Sequence, residues 1–397
     1  MVKKASTTAF HVLRAIIKPF LYLFYRFRFE METAKGINTP CLIISNHQTS
    51  FDQFAVGVGF TFGINYVGSD TLFRYGLKSW LMKVIGRPIP FSKGSSDLQA
   101  VRNMFSIIKQ GGCVCMFPSG NRSFYGEEST IGQGIGKLAK KFNAPLVIVK
   151  VKGGFFTKPR WSAKPNKGKM SAAVSRVMMP QEMAGMSNDA MNELIKNELY
   201  FNEFEYNKNA QIAFKGKRKA EYLESVLFYC PQCGSISGLY SEGCEFFCRD
   251  CGARVKINDT GFFEKINNAE KIPDTILEWS YRQLDYIKAF DFTPFLEKPV
   301  FADSNVTLSR AERAKKEYLI GKGSIEFYAD RFTACGHDFP FADTTMAVQG
   351  VRKLTVYSGD EVFAVEAPAR TNLMKYMISG FHLRNKTLDI KEEYYGY

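Results

Sequence analysis

Between residues 40 and 180 the sequence alternates short apolar runs with stretches of helical periodicity, and this alternation constrains the fold more than any other feature. "PCLIIS" (40–45), "INYVGS" (64–69), "CVCMFPSG" (113–120) and "PLVIVKV" (145–151) are apolar segments bounded by Pro, Gly or polar residues, as buried strands are. Between them, "SFDQFAVGVGFTF" (50–62), "LKSWLMKVIG" (77–86), "SDLQAVRNMFSIIKQGG" (96–112) and "GQGIGKLAKKFNA" (132–144) read as helices. In the third of these, Ser96 or Asp97 can cap the start and Gly111 ends the run. "RPIPFSK" (87–93) reads as extended, 160–175 as an exposed loop, "SAAVSRVMMP" (171–180) as a strand and "MNELIKNELYFNEFEYNK" (191–208) as one closing helix. Strands alternating with helices specify an α/β domain with a largely parallel sheet, here over 35–215.

His47 stands five residues before Asp52 in "NHQTSFDQF", in a chain with only four histidines. Open α/β sheets bind ligands beyond the carboxyl ends of their strands, and a strand-to-helix turn there can bring both side chains to one rim. An imidazole held by a carboxylate takes a proton from a hydroxyl and turns a poor nucleophile into a good one. The alternative is that Asp52 caps the helix and His47 is a satisfied turn residue.

The chain carries 53 Lys and Arg against 39 Asp and Glu, a net charge of +14. No acid falls between Ile131 and Met179, where eleven Lys and Arg do, including Lys150, Lys152, Lys158 and Lys169. Such an excess suggests an anionic partner: a phosphorylated substrate, an anionic membrane surface or a nucleic acid. The N-terminal run "AFHVLRAIIKPFLYLFYRFRF" is apolar and aromatic but interrupted by Arg14, Lys18, Arg26 and Arg28. It is too broken for a spanning helix, and residues 1–34 read as an amphipathic, membrane-associating segment; packing on the protein's own core is the alternative. The expected location is the cytoplasmic side of a membrane, peripheral or monotopic.

Cys230, Cys233, Cys248 and Cys251 form two C-x-x-C pairs, each followed by Gly, over 226–256. Two such knuckles present four thiolates for a tetrahedral, structural Zn²⁺, a zinc ribbon. Two disulfides are the alternative. Four protein ligands would close the site, so no cofactor is expected for catalysis. Cys244 reads as a spare, and Cys41, Cys113, Cys115 and Cys335 as small core residues. Acids outnumber the single Arg of "CPQCGSISGLYSEGCEFFCRDCG", so nucleic-acid binding is not expected. Residues 257–296 read as a helical connector, with "PDTILEWSYRQLDYIKAF" (273–290) as its helix. Residues 297–397 read as a β-rich domain, a small barrel or sandwich plugged by "NLMKYMISGFHLRN", which resembles a pleckstrin-homology-type domain.

The motifs over roughly residues 35–185 resemble those of the glycerolipid acyltransferase family. "NHQTSFD" is similar to its first block, "GRPIPFSK" (86–93) to its second with Lys93 where Arg is usual, and "FPSGNRS" (117–123) to its third, Phe-Pro-Glu-Gly-Thr-Arg-Ser. "GIGKLAKKFNAPLVIV" is similar to the fourth-block region. The resemblance implies an acyltransferase of the 1-acylglycerol-3-phosphate type. In it His47 is general base and Asp52 its orienter, while acyl-CoA or acyl-carrier protein is the donor and a lysophospholipid the acceptor. Arg122, with Lys93, would bind its phosphate, Gly120 would let backbone approach the substrate, and Ser119 and Asn121 would line the acceptor pocket. Ser119 departs from the family Glu and Asn121 from its Thr; Glu127 and Glu128 are the carboxylates that could replace the missing one. A different lipid acceptor, or a silent lipid-binding scaffold, is the alternative to turnover on lysophosphatidate.

Overall fold

A computed structural model describes residues 2–69, 87–91, 97–311 and 317–390. The expected helix at 77–86 and Lys93 lie outside these. The chain divides into two compact units, one of residues 1–159 and 167–214, the other of 160–166 and 215–395.

The first unit is built on a seven-stranded sheet: β1 (Arg28–Phe29), β2 (Cys41–Ser45), β3 (Ile64–Ser69), β4 (Ile89–Phe91), β5 (Cys113–Met116), β6 (Leu146–Lys152) and β7 (Ser171–Met178). They lie in the order β1-β7-β6-β2-β5-β3-β4, parallel except where β7 runs against β6. Alternate residues face opposite sides of the sheet. Leu42, Ile44, Val114, Leu146 and Ile148 therefore join one core with helices Leu98–Lys109, Ile135–Phe142 and Asn188–Leu199. Cys41, Ile43, Cys113, Cys115, Val147 and Val149 join the other, under helices Thr7–Tyr25 and Asp52–Gly57.

Three local expectations change. The closing helix is two, Asn188–Leu199 and Glu203–Ala210. Its break at 200–202 is held by Glu128 N–H on the Phe201 carbonyl and an antiparallel bridge between Glu127 and Asn202. The expected loop at 160–175 is not uniformly exposed, because Trp161, Ser162, Asn166 and Met170 are buried within it. The N-terminal segment packs on the protein's own core along one face, the alternative weighed for it, and leaves apolar residues exposed on another. Helix Thr7–Tyr25 buries Phe10, Leu21 and Tyr25 and anchors through Arg14 Nε on the Val58 carbonyl at 2.9 Å, yet exposes Val12, Ile16, Phe20, Leu23 and Phe24. Among the described residues no helix is long and apolar enough to cross a membrane.

The second unit holds two sheets. β8 (Leu239–Glu242), β9 (Glu245–Cys248), β10 (Arg254–Ile257) and β11 (Phe263–Asn267) form an antiparallel set in the order β11-β10-β9-β8. Helix Ile276–Ala289 buries Trp279 and donates from its indole to the Tyr229 carbonyl at 2.7 Å. A seven-stranded antiparallel sheet follows: β12 (Phe301–Ala311), β13 (Tyr318–Phe327), β14 (Arg331–Ala334), β15 (His337–Pro340), β16 (Thr344–Gln349), β17 (Lys353–Ser358) and β18 (Glu361–Glu366). Its order, β15-β14-β13-β12-β18-β17-β16, leaves β15 and β16 as edges, so the barrel weighed from the sequence is an open sheet in its hydrogen bonding. Helix Met374–Thr387 is buried almost throughout its first two turns.

Candidate active site

β2 ends at Ser45, and the next six residues turn over the carboxyl end of the sheet before helix Asp52–Gly57 begins. Asn46 fixes the turn: its amide donates to the Val151 carbonyl at 2.8 Å and accepts from the Val151 N–H at 2.7 Å, tying β2 to β6. Asp52 is fully buried, and its Oδ2 accepts from His47 Nδ1 at 2.7 Å, Gln48 N–H at 2.6 Å and Thr49 N–H at 2.9 Å. One carboxylate thus closes the turn and holds the imidazole. With Nδ1–H committed to Asp52, the ring's lone pair is on Nε2. The ring stacks on Phe117, centroids 4.2 Å apart, and keeps 18% of its side-chain surface open to solvent.

The 117–123 loop meets the same turn, since Ser123 N–H donates to the His47 carbonyl at 2.9 Å. Gly120 sits there with φ +65°, and a Cβ at that position would meet only open space. The left-handed conformation of the turn by itself asks for glycine there, and the open space beside it is compatible with the close approach expected from the sequence. Ser119 Oγ donates to the Asn121 carbonyl at 3.1 Å and also bonds the Glu128 carboxyl. Arg122 is partly buried; burial pulls its guanidinium down while the Asp52 charge opposes. The structure brings His47, Asp52, Ser119 and Arg122 around one rim, with Gly120 and Asn121 in the connecting turn.

Lys158 and Glu203 were not picked out from the sequence as belonging to this rim, whereas Glu128 was weighed there beside Glu127 as a replacement carboxylate. Lys158 is partly buried and lies in the field of Arg122, which together with burial lowers its ammonium. The acid-free stretch contained it but could not single it out. Glu128 accepts from the His47 N–H at 3.0 Å and from Gln48 Nε2 at 3.2 Å. Burial pushes it up to about 8 against the pull of those bonds, with the Asp52 charge adding to the rise. Glu127 turns elsewhere and accepts from the Tyr200 hydroxyl at 2.7 Å. Glu203, fully buried, accepts from Gly153 N–H at 3.0 Å and Phe155 N–H at 3.3 Å, and burial pushes it too up to about 8. The sequence reading placed Glu203 inside one continuous helix over 191–208, so nothing marked it.

In the second unit, the sulfurs of Cys230, Cys233, Cys248 and Cys251 all lie within 4.8 Å of one another. Cys230 and Cys251 are 3.9 Å apart and Cys233 and Cys248 3.8 Å. Four sulfurs at about 2.3 Å from a tetrahedral Zn²⁺ would be about 3.8 Å apart, so the donor set and its spacing fit zinc. Both knuckles close alike, Gly234 N–H on the Cys230 carbonyl and Gly252 N–H on the Cys248 carbonyl, with φ of +81° and +74° at the glycines. Backbone N–H groups of Gln232 and Cys233 reach the Cys230 sulfur, and those of Asp250 and Cys251 reach Cys248. Cys244 stays apart and bonds the Gly216 carbonyl. Cys41, Cys113 and Cys115 are buried in their strands, while Cys335 is only partly buried.

Residues 26–152 match the family model described as Acyltransferase. The chain is 23% identical over 182 residues to the chloroplastic 1-acyl-sn-glycerol-3-phosphate acyltransferase BAT2 of Brassica napus, covering 45% of this chain and 51% of that protein. It is 25% identical over 143 residues to the 1-acyl-sn-glycerol-3-phosphate acyltransferase of Pseudomonas aeruginosa, covering 35% and 55%. The chain thus spans about half the length of these curated relatives. The crystal structure of the 1-acyl-sn-glycerophosphate (LPA) acyltransferase PlsC from Thermotoga maritima aligns at TM-score 0.40 and 19% identity, over 48% of this chain and 78% of that one. Residues 26–152 are thus similar to the acyltransferase domain of glycerolipid acyltransferases.

Proposed function

We propose that this chain transfers a fatty acyl group from acyl-CoA or acyl-carrier protein to the hydroxyl of a lysophospholipid, with 1-acylglycerol-3-phosphate as acceptor and phosphatidic acid as product. The carrying observation is the 2.7 Å bond from His47 Nδ1 to buried Asp52, which orients the ring and leaves Nε2 to act as base. The acceptor hydroxyl gives its proton to Nε2 as its oxygen attacks the thioester carbonyl. The C–S bond then breaks, and the leaving thiolate takes the proton back from the imidazolium that Asp52 has stabilised. No acyl-enzyme is needed. Arg122 and Lys158, two partly buried cations in each other's field, supply charge for the acceptor phosphate. Lys93, outside the described residues, would add to them.

The exposed apolar residues of helix Thr7–Tyr25 would enter an anionic bilayer surface from the cytoplasmic side, where lysolipid and product reside. The four cysteines would hold a structural Zn²⁺, and the sheet of 301–366 with its terminal helix would serve as an accessory, pleckstrin-homology-like module.

The test is acyl transfer by the purified chain in anionic vesicles, with lysophosphatidic acid offered alongside acyl-CoA or acyl-carrier protein. His47→Ala should lower kcat by about 10²–10⁴-fold while vesicle binding survives. Turnover equal in both proteins would refute the role of His47. No turnover on any lipid acceptor would leave a lipid-binding scaffold.

A further inference from the structure

His47 is gripped twice. Asp52 holds its ring, but its main chain is held by a different carboxylate: Glu128 accepts from the His47 N–H through Oε2 at 3.0 Å and Oε1 at 3.3 Å. The same group accepts from the Gln48 side chain at 3.2 Å. Glu128 is itself pinned, since its N–H donates to the Phe201 carbonyl at 3.0 Å beside the Glu127–Asn202 bridge. The third contact to the carboxyl is the Ser119 hydroxyl. A longer carboxylate side chain at position 119 would crowd the Glu128 carboxyl that the Ser119 hydroxyl now bonds, and like charges brought together there oppose each other's ionisation. Ser119 and Glu128 therefore suit each other: a short donor on one loop makes room for an acid from another.

We propose that Glu128 is a positioning residue for the reaction, fixing the backbone of His47 while Asp52 holds its ring, and that a short hydroxyl at position 119 is the condition for it. The inference rests on the acyltransferase reading for its kinetic consequence but not for its geometry. Asp52 is the charged group whose field reaches Glu128; it also bonds His47 Nδ1 and acts on Arg122.

The experiment has two arms, both on the full chain. In the first, wild type, Ser119→Glu, Glu128→Gln and the pair Ser119→Glu/Glu128→Gln are compared with lysophosphatidic acid and acyl-CoA in anionic vesicles. Glu128→Gln exchanges one of the two oxygens that face the His47 N–H for an amide group and should lose roughly tenfold in kcat with KM little changed. Ser119→Glu should lose on the order of 100-fold in kcat with KM little changed, because crowded carboxyls shift the His47 turn. The pair should regain roughly tenfold or more of that loss. In the second arm, ¹⁵N-histidine labelling reports four amides. The His47 amide proton should move as pH passes through about 8 in wild type and stay still in Glu128→Gln. A wild type without turnover sinks the functional reading and leaves the amide titration to decide this one. An amide indifferent to Glu128→Gln overturns the proposal, as does a pair no faster than Ser119→Glu when wild type turns over.

Discussion

The turn at 46–49 and the cluster at 230–251 are both knots of polar groups, closed in opposite ways. In the turn, the chain answers its own demands: Asn46 pairs with Val151, Asp52 takes the His47 ring and two N–H groups, and Glu128 takes another. In the cluster, four sulfurs are brought within 4.8 Å as like partners. Four thiolates so close repel one another unless a cation sits among them. The first knot is organised before any ligand arrives; the second has the donor set and spacing that a metal cation would complete. One should therefore fail as chemistry, the other as folding.

The largest effect expected is metal removal. Structural zinc sites contribute apparent free energies of about 10–16 kcal/mol, which rivals the whole stability of a typical domain. Stripping metal from the purified chain with a chelator, with loss confirmed by metal analysis, should abolish hydrogen-exchange protection in β8–β11 while β2, β5 and β6 keep theirs. Undiminished protection in β8–β11 would break the comparison, because the cluster would then be as self-sufficient as the turn.

Next in size is Asp52→Asn. The amide fills the same space, and its oxygen can still accept from Gln48 and Thr49, but it no longer stabilises an imidazolium. Loss in kcat on the order of 10³-fold is expected with the melting temperature nearly kept. A variant that instead unfolds would show that the carboxylate serves the turn more than the ring.

What could be read from the sequence differs between the two knots for a physical reason. Cys230, Cys233, Cys248 and Cys251 declare themselves by type and spacing, since few other uses need four thiols so placed. The sheet was legible because β2, β5 and β6 are continuous apolar runs. His47 and Asp52 were legible because one short turn carries both. Glu128 and Glu203 reach the rim from segments 81 and 151 residues beyond His47 and Asp52, respectively, and their environment exists only after folding. The break between helices Asn188–Leu199 and Glu203–Ala210 was invisible for the same reason: a partner segment at Glu127–Glu128 imposes it, and periodicity does not see partners.

Glu128 and Glu203 sharpen the comparison through pH. Both are pushed up to about 8, above the ordinary carboxylate range of the unfolded chain. Between that range and pH 8 the folded state holds protons the unfolded chain has released, so stability falls as pH rises and levels off above about 8. Each such group contributes a slope of about 1.4 kcal/mol per pH unit inside the window. Glu203→Gln should remove one share of that slope in chemical denaturation of the first unit from pH 5 to 8. An unchanged slope would mean that Glu203 is ionised in the fold and that its N–H partners at Gly153 and Phe155 outweigh its burial.

The smallest effect tests whether the metal dominates the second unit. Helix Ile276–Ala289 starts at Thr275, whose hydroxyl accepts from the Glu278 N–H at 3.0 Å, while Glu278 reaches back to the Asp274 N–H at 3.2 Å. Removing such a cap costs about 1 kcal/mol. If the cation closes the cluster and Trp279 merely docks beside it, Thr275→Ala should cost that amount in the metal-loaded chain and leave protection in β8–β11 intact. A loss of several kcal/mol, or exchange spreading into β8–β11 with metal still bound, would show that the helix and the cluster fold as one cooperative body. The difference between the knots would then lie less in the cation than in the indole bond from Trp279 to Tyr229, which enters the first knuckle one residue before Cys230.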